Sequence, residues 1–214
     1  PPYIEYSKVK KGYKILNYKT EKCGNLYVFI IERCTLLSSN KTLIGQIIPL
    51  PSINTTRMIG FQNLLRQTGN KWISNYDERP RNLFTGVDQR LSILIFNMVE
   101  KGEINSTGIN RWYSGAREVL FNTLKYTKTD EPMDYNESRI LKCKDLIENS
   151  ILLKFYKNPP ILKLVSNKPN KVENKISYRT AGGRYWKIFI NSDFQTSSLS
   201  NKTVFCVDGV VNNA

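Results

Sequence analysis

The chain has 214 residues, of which 40% are apolar and 23% charged, which is ordinary usage for a folded protein with one large domain or two small ones. Its 32 Lys and Arg residues against 18 Asp and Glu residues give a net charge of +14, which favours a polyanion as partner. Histidine is absent, and this excludes Ser-His-Asp catalysis, Cys-His catalysis and every histidine-containing metal site.

The cysteines and the apolar runs predict the cellular compartment of the protein and bear on whether it binds a metal ion or a membrane. Cys23, Cys34, Cys143 and Cys206 lie far apart, and no two have the spacing of a metal site. We expect them to be reduced, buried thiols. No run approaches the roughly 18 apolar residues of a membrane span. The sequence therefore predicts a cytoplasmic protein that binds neither a membrane nor a metal ion.

The first hundred residues predict alternating helices and strands. In chain order, the predicted elements are a polar loop at 1–23, a helix at 24–38, a buried strand at 42–49, a helix at 55–68 capped by Gly69, a short strand at 71–76, a charged loop at 77–90 and a strand at 91–99. The last strand is apolar enough to be covered on both faces.

Lys101-Gly102 marks a predicted boundary between domains at 1–100 and 101–214. Beyond it, a helix is predicted over 136–158, with Asn136 as its cap and an apolar stripe at Ile140, Leu146, Ile147, Ile151 and Phe155. Strands are predicted at 161–165, 175–180, 184–190 and 203–207, with Ala181-Gly182-Gly183 as a hairpin turn. This second part is expected to be α+β.

Several short motifs follow one another in a distinctive order. The chain opens with Pro1-Pro2-Tyr3, and then come a basic loop, a helix starting GNLY, a strand ending IIP and the string SINTT. The segment Arg79–Leu91 reads R-P-x-x-L-F-x-G-V-x-Q-R-L. This order resembles the second half of the catalytic domain of N6-adenine DNA methyltransferases. It is most similar to the type II restriction–modification subgroup that fuses methylase and specificity functions in one chain. The resemblance covers residues 1–126 well and the remainder loosely.

The resemblance implies an α/β fold. Residues 1–100 would be the C-terminal half of a Rossmann-like class I methyltransferase sheet, in which 91–99 pairs antiparallel with 71–76. An α+β target-recognition region would follow at 101–214. Because a sheet divided in this way exposes apolar surface, either a homodimer or packing of the second part across that surface is expected.

The family's cofactor motif has no counterpart in this sequence. The family's Asn would stand immediately before Pro1, and the glycine-rich turn that holds S-adenosylmethionine is missing, as is the acidic residue for the ribose. We therefore expect the chain to be the back half of a longer enzyme and to be inactive without the N-terminal half of the catalytic domain. Without the residue before Pro1, both adenine-N6 and cytosine-N4 remain possible targets.

The resemblance also implies a base pocket. Pro1 would offer its backbone carbonyl to the N6 hydrogens of a flipped adenine, with Pro2 completing the motif, and Tyr3 would stack on the base. Phe84 would be the second apolar wall of the pocket. The alternatives are a frayed terminus for Tyr3 and a core position for Phe84.

Basic residues in three regions are predicted to contact DNA. They are Lys8, Lys10 and Lys11 in the first loop, Arg79, Arg81 and Arg90 around the pocket, and Arg111, Arg179 and Arg184 beside aromatic residues. The lysines could instead form a solvated loop. One of the three pocket arginines could be a structural ion pair with Asp77, Glu78 or Asp88. Trp112 and Trp186 could be core residues.

Two other functions fit part of the sequence. A non-catalytic nucleic-acid-binding module needs only the positive charge and the basic–aromatic clusters, and it accounts for the absent cofactor motif. A structural protein with incidental basicity is the other interpretation. Neither accounts for the Arg79–Leu91 string together with the opening Pro-Pro-Tyr, so the methyltransferase fragment is the first hypothesis.

Overall fold

The computed structural model describes residues 2–12, 14–15, 17–99, 102–129 and 139–158, and the backbone of four short strands beyond them. By the density of contacts the chain divides into two units, Pro1–Lys154 and Phe155–Ala214. Within the described residues, no helix has both the length and the apolar character needed to cross a membrane. The predicted division by function at residue 100 stays a prediction.

Helices and strands alternate in the first unit. They are α1 (Leu26–Leu37), β1 (Leu43–Pro49), α2 (Ile59–Arg66), β2 (Lys71–Tyr76), β3 (Leu91–Asn97), β4 (Ile104–Asn110) and β5 (Thr127–Lys128). The predicted helix at 24–38 and the predicted strands at 42–49, 71–76 and 91–99 are confirmed. The predicted helix at 55–68 is shorter than expected, because its first turn is a 3-10 turn at Thr56–Met58. The α/β class is confirmed for this unit.

The five strands form one mixed sheet in the order β1-β3-β2-β4-β5. Strand β3 lies between β1 and β2 and runs antiparallel to both, which confirms the predicted pairing of 91–99 with 71–76. Strand β4 runs parallel to β2. It follows that β1, β2 and β4 all point in one direction. Their C-terminal ends, at Pro49, Tyr76 and Asn110, lie at one edge of the sheet, which we call the carboxyl edge.

Apolar side chains cover both faces of the sheet. On one face, Leu94 and Phe96 of β3 belong to a core that includes Phe61 of α2 and Ile31 of α1. On the other face, a smaller cluster combines Tyr76, Leu83, Leu91, Trp112 and Leu120, with Ile47 and Ile93 packed against it. Because successive residues of a strand point to opposite faces, β3 contributes apolar side chains to both cores, as its continuous apolar run predicted.

Strand β4 was not predicted, because its sequence INSTGIN is polar. Its Ser106 and Thr107 are nevertheless buried. The buried Asn75 of β2 donates from Nδ2 to Ser106 Oγ (3.1 Å) and to the Thr107 carbonyl oxygen (2.7 Å), and it accepts from Ser92 Oγ (2.8 Å). Buried polar groups are tolerated when they are paired in this way, and the hydrophobic alternation that marks a strand is then lost.

Helix α3 spans Leu146–Tyr156, so the prediction that it begins at Asn136 was wrong in the described part, where residues 139–145 are not helical. Asp145 starts the helix by accepting from the Glu148 amide (2.8 Å), while Glu148 accepts from the Lys144 amide (2.6 Å). This resembles a capping box. The predicted stripe is divided: Ile140 is buried, whereas the helical members, Leu146, Ile147, Ile151 and Phe155, are exposed.

The second unit contains an antiparallel sheet of four described strands in the order β6-β9-β7-β8. They are β6 (Val165–Ser166), β7 (Lys175–Arg179), β8 (Phe189–Ile190) and β9 (Lys202–Val207). The predicted strands at 175–180 and 203–207 are confirmed, and those at 161–165 and 184–190 overlap described strands only at their ends. The predicted turn Ala181-Gly182-Gly183 and Trp186 lie outside the described residues.

Candidate nucleic-acid interface

The carboxyl edge gathers most of the predicted site residues of the first unit. The loop 77–90 leaves it from β2 and returns to it at β3, and the segment 111–126 leaves it from β4. In open α/β sheets, ligands bind in the crevice beyond the carboxyl ends of the strands. The topology therefore makes this edge the candidate site.

Tyr3 is anchored near this edge rather than frayed. Its hydroxyl donates to the carbonyl oxygen of Ile47 on the outer strand β1 (2.9 Å). Its ring meets the ring of Tyr27 of α1 edge to face, with centroids 5.7 Å apart. Burial raises the pKa of the Tyr3 phenol, so the hydroxyl stays a donor at neutral pH. The residue is still 41% exposed, which leaves ring surface for a ligand.

The segment that carries Pro2 and Tyr3 is tied to the start of α1. The Leu26 amide donates to the Ile4 carbonyl (3.0 Å), and the Tyr6 amide donates to the Gly24 carbonyl (2.9 Å). Glu5 forms an ion pair with Arg57, whose Nε also donates to the Cys23 carbonyl (3.0 Å). Gly24 has a φ of 65°, where a side chain would be strained and would crowd Arg57. Pro2 is exposed at the start of this segment, and Pro1 lies outside the described residues.

The basic loop, residues 8–22, begins directly after this segment. Its predicted DNA contacts, Lys8, Lys10 and Lys11, are all exposed. The far end of the loop is pinned by the buried Glu32 of α1, which accepts from the amides of Lys19 (2.9 Å) and Thr20 (3.0 Å). The loop thus presents its lysines from a base that is fixed at both ends.

The loop 77–90 presents Phe84 from a turn. The Val87 amide donates to the Phe84 carbonyl (3.2 Å), and Gly86 has a φ of 78°, as the third position of a type II turn requires. Phe84 is 39% exposed, whereas its neighbour Leu83 is buried in the smaller core. The core position therefore belongs to Leu83. Arg117, which sequence reasoning missed, donates from Nη1 to the Leu83 carbonyl (2.6 Å) and holds the loop in place.

Leu83 connects the loop to Tyr3. Leu83 and Ile47 belong to the same apolar cluster, and the carbonyl of Ile47 accepts the Tyr3 hydroxyl bond. Tyr3 is bonded to Ile47, and Phe84 directly follows Leu83 in the chain. The two predicted aromatic walls of the pocket are therefore both attached to residues of this cluster. Their roles on a base stay predictions.

Arg79 and Arg81 line a cleft of about 470 Å³ formed by the loop itself. Its other lining residues include Glu78, Asn82 and Asp88, and Asn82 Nδ2 donates to Asp88 Oδ1 (2.6 Å). The cleft has carboxylates beside its arginines, so its own electrostatics are mixed. Both arginines are exposed to solvent.

Asp77 forms the ion pair with a pocket arginine that the sequence predicted without identifying its partners. Its carboxylate is buried and accepts from Arg90 Nε (2.9 Å) and from Arg111 Nε (2.7 Å). Burial acts to raise the pKa of Asp77, but the bonds from Arg111 and Arg90 outweigh it, and the pKa is lowered below its ordinary value. Two predicted DNA contacts are therefore ion-paired. Both side chains are in part accessible to solvent, with exposed fractions of 60% for Arg111 and 44% for Arg90.

The aromatic residues beside Arg111 have different environments. Trp112 is buried, and its ring meets Tyr76 edge to face at 5.8 Å, so its core interpretation is confirmed. Tyr113 is 76% exposed beside it. The side chain of Arg179 and the whole of Arg184 lie outside the described residues, and their predicted DNA contacts are unchanged as predictions.

The connection that leaves the carboxyl edge from β1 differs from a glycine-rich turn that holds S-adenosylmethionine. The connection from β1 to α2 runs through Leu50-Pro51-Ser52-Ile53-Asn54-Thr55 and contains no glycine. The residues of this connection do not fit S-adenosylmethionine, and none of them is assigned to it. In the part of the chain that the structure describes, no three His, Cys, Asp or Glu side chains could hold a metal ion.

No protein-family model matches the chain, and no curated protein matches it. The solved structures with weak similarity to the chain include the following three. The DrdV–DNA complex has a TM-score of 0.42 at 11% identity, over 59% of this chain and 14% of that one. A nuclease-deletion mutant of the Type ISP restriction-modification enzyme LlaGI, in complex with a DNA substrate mimic, has a TM-score of 0.47 at 13% identity. That match covers 82% of this chain and 17% of the other. The ATP-dependent Type ISP restriction-modification enzyme LlaBIII bound to DNA has a TM-score of 0.47 at 13% identity, and the match covers 84% of this chain and 14% of that one. The chain thus spans between 14% and 17% of the length of these three chains.

Proposed function

We propose that the chain is the back half of an S-adenosylmethionine-dependent DNA methyltransferase of a restriction–modification system, which methylates N6 of a flipped adenine. One observation carries the proposal: Tyr3 of the Pro-Pro-Tyr motif is anchored to Ile47 beside the carboxyl edge, and the loop that presents Phe84 packs on the same cluster. The confirmed antiparallel pairing of β3 with β2 supports it as well. The three motifs concerned lie far apart in sequence and are found at one edge of the sheet: Pro-Pro-Tyr, the IIP end of β1 and the Arg79–Leu91 string.

The chemistry gives each residue type a role. The amino group of adenine is a poor nucleophile, because its lone pair is delocalised into the ring. In the proposal, the carbonyl of Pro1 accepts a hydrogen bond from N6 and thereby orients the amino group. The rings of Tyr3 and Phe84 bind the faces of the extruded base, and such stacking contributes about 1–3 kcal/mol per base. That gain offsets the few kcal/mol needed to take a base out of the duplex.

The methyl donor would be bound outside this chain. S-adenosylmethionine supplies the methyl group when it is bound, but the chain carries none of the family's residues for it. The residues here bind and orient the base and exclude water from it. The chain on its own is accordingly proposed to be inactive.

Double-stranded DNA is the proposed partner. The exposed Lys8, Lys10 and Lys11 extend from the anchored loop beside the Tyr3 segment, and lysines near phosphates release counterions on binding. Most protein–DNA contacts that position the protein go to phosphates, so these lysines would orient the duplex and not read its sequence.

Transfer of a labelled methyl group from S-adenosylmethionine to DNA tests the proposal. The assay compares this chain with a longer protein that places an Asn and a glycine-rich cofactor turn ahead of it, and the product base is identified after digestion. The expected result is label in N6-methyladenine from the longer protein alone. Label in N4-methylcytosine would mean that the target base is cytosine and not adenine. No transfer by the longer protein, with cofactor and DNA both bound, would contradict the proposal.

A non-catalytic nucleic-acid-binding module is the second candidate. The anchored basic loop favours it, because Lys8, Lys10 and Lys11 need no cofactor to bind a phosphate backbone. Salt-dependent DNA binding without transfer in the assay above would select this function, and Tyr3 and Phe84 would then be packing residues.

A further inference from the structure

We propose that Glu32 of α1 is a positioning residue for DNA binding, which acts by holding the basic loop in one conformation. The inference rests on the proposed function only in taking DNA as the partner of this loop, and it is independent of methyl transfer. It gives the Glu32 carboxylate an effect on DNA affinity that is opposite in sign to the effect of its charge.

The basic loop concentrates positive charge in a short stretch of chain. Residues 8–22 contain six lysines and one acidic residue. The exposed lysines of this stretch include Lys8, Lys10, Lys11 and Lys14. Because neighbouring like charges repel one another, electrostatics alone favours a loop that opens and varies in shape. A fixed conformation of the loop therefore requires attachments to the rest of the fold.

Glu32 attaches the far end of the loop through three hydrogen bonds. Its carboxylate accepts from the amides of Lys19 (2.9 Å) and Thr20 (3.0 Å) and from the Thr20 hydroxyl (2.5 Å). Glu32 and Thr20 are both buried. A carboxylate that is buried loses its hydration, and hydrogen bonds from protein donors must replace it. Here all three of these donors belong to the basic loop.

One face of α1 contacts both ends of the lysine-rich stretch. Phe29 lies three positions before Glu32, so the two side chains are neighbours on the helix surface. The Phe29 ring meets the ring of Tyr6 edge to face at 5.5 Å and that of Tyr18 at 6.2 Å. The Tyr6 hydroxyl also accepts from the Ile15 amide (3.1 Å). The exposed lysines between Tyr6 and Tyr18 are therefore enclosed by contacts with a single helix.

Helix α2 packs closely on the same end of the loop that Glu32 attaches. A Cβ atom on Gly60 would lie 2.9 Å from the Lys19 carbonyl oxygen and 3.5 Å from the Thr20 Cα, so a side chain here would displace the loop. The Lys19 ammonium group also donates to Gln67 Oε1 (3.1 Å), just after α2. Two helices thus fix the backbone from which the lysines extend.

A fixed loop suits the phosphates of a duplex. These phosphates are regularly spaced, and lysines that are already held in place lose less conformational entropy when they bind. By charge alone, removal of the Glu32 carboxylate would tighten DNA binding, because the net positive charge increases. If Glu32 positions the loop, its removal weakens binding instead. The sign of the change therefore separates positioning from charge.

Duplex binding by the whole chain tests the proposal. Fluorescence anisotropy of a labelled duplex of mixed sequence is measured at several salt concentrations. Glu32→Gln is expected to weaken binding about tenfold with an unchanged salt slope, because the number of phosphate contacts stays the same. The double variant Lys10→Ala and Lys11→Ala is expected to lower the salt slope by about two, because it removes two such contacts.

Two matched controls accompany Glu32→Gln. Glu21→Gln makes the same change of charge at an exposed position of the basic loop, and its affinity should equal or slightly exceed that of the wild type. Arg33→Ala alters an exposed residue of α1 next to Glu32 and should change neither affinity nor salt slope. Circular dichroism at the assay temperature verifies that each variant is folded.

Two milder substitutions keep the test decisive if Glu32→Gln does not fold. Thr20→Val removes only the hydroxyl bond to Glu32, and Gly60→Ala displaces the same end of the loop without changing any charge. Both are expected to weaken binding about three- to tenfold with an unchanged salt slope. Trypsin cleavage after Lys10 and Lys11, mapped by mass spectrometry without DNA, should be faster in these variants than in the wild type.

Three results would overturn the positioning role. The first is wild-type or tighter binding by folded Glu32→Gln, or by both milder variants, in spite of faster cleavage of the loop. The second is an unchanged salt slope in the double lysine variant, which would mean that the loop does not contact DNA. The third is a wild-type chain that does not bind the duplex at low salt. A failure of methyl transfer with the expected binding results would contradict the proposed function and leave the positioning role standing.

Discussion

The hydroxyl of Tyr3 donates to the carbonyl oxygen of Ile47, a residue 44 positions later in the chain. This bond attaches the N-terminal segment to the outer strand β1, and the ring contact with Tyr27 fixes it from the side of α1. Because Ile47 also packs against the cluster that contains Leu83, the bond relates the Pro-Pro-Tyr motif to the loop of Phe84. The proposed base pocket takes one aromatic ring from each of these two segments.

Removing the hydroxyl should loosen this attachment while keeping the ring. We expect Tyr3→Phe to lower the free energy of unfolding by about 1 kcal/mol, the usual value of one hydrogen bond. Urea unfolding followed by circular dichroism measures it. An unchanged midpoint and slope would mean that the bond contributes nothing to anchoring the segment. Ser7→Ala, at an exposed position in the same segment, serves as the control.

Leu83 and Phe84 offer a matched pair of adjacent substitutions. Leu83 is buried, so Leu83→Ala should destabilise the fold by about 2–5 kcal/mol. Phe84 is partly exposed, so Phe84→Ala should cost the fold much less. Thermal unfolding of both variants measures the difference. Equal losses would show that Phe84 is a core residue, and its proposed place in the base pocket would be withdrawn.

Asp77 should make stability depend on acid pH. Its pKa is lowered in the folded protein from the ordinary 3.8, so its contribution is fully present above that value and is lost as pH falls through the folded pKa. Asp77→Asn should therefore reduce the free energy of unfolding by about 2 kcal/mol at pH 7. The gap to the wild type should close as pH falls below 3.8. Urea titrations between pH 7 and about pH 2.5 check this. A gap that is constant with pH would show that the carboxylate charge is not the cause.

The thiols should differ in reactivity. Burial, with smaller effects from Glu148 and Asp145, raises the pKa of Cys143 to about 11, so its thiolate is scarce at neutral pH. Burial also raises the pKa of Cys23, whereas Cys34 is only partly buried. Iodoacetamide labelling of the folded protein, mapped by mass spectrometry, should modify Cys34 before the other two. Earlier labelling of Cys143 would mean that its surroundings open readily.

The apolar pattern predicted those elements that bury apolar side chains. Strand β3 and helix α1 were recognised because their residues are apolar almost throughout. Strand β4 was missed, because Ser106 and Thr107 are buried through bonds to Asn75, a partner 31 or 32 positions away that no local pattern reveals. Helix α3 was placed too early, because Ile140 continues its apolar spacing although the helix starts after Asp145.

The candidate site was predictable only where a motif marked it. Tyr3 and Phe84 came from the resemblance, and the structure adds how each is held. The sequence placed Arg90 near Asp77, Glu78 and Asp88 but left the pairing open, since the choice depends on strand register. Arg117 carried no signal, because its partner, the Leu83 carbonyl, lies 34 positions earlier in the chain.

Methyl transfer by Tyr3 variants tests the central claim most directly. In the longer protein described above, kcat/KM for labelled methyl transfer to DNA is measured for the wild type, Tyr3→Phe, Tyr3→Ala and the control Arg33→Ala. If Tyr3 stacks on the target base, Tyr3→Ala should lower kcat/KM by about 5- to 150-fold, as expected for about 1–3 kcal/mol of lost stacking. Tyr3→Phe and Arg33→Ala should remain within about threefold of the wild type. A Tyr3→Ala protein that folds, binds DNA and transfers methyl groups at the wild-type rate would contradict the account.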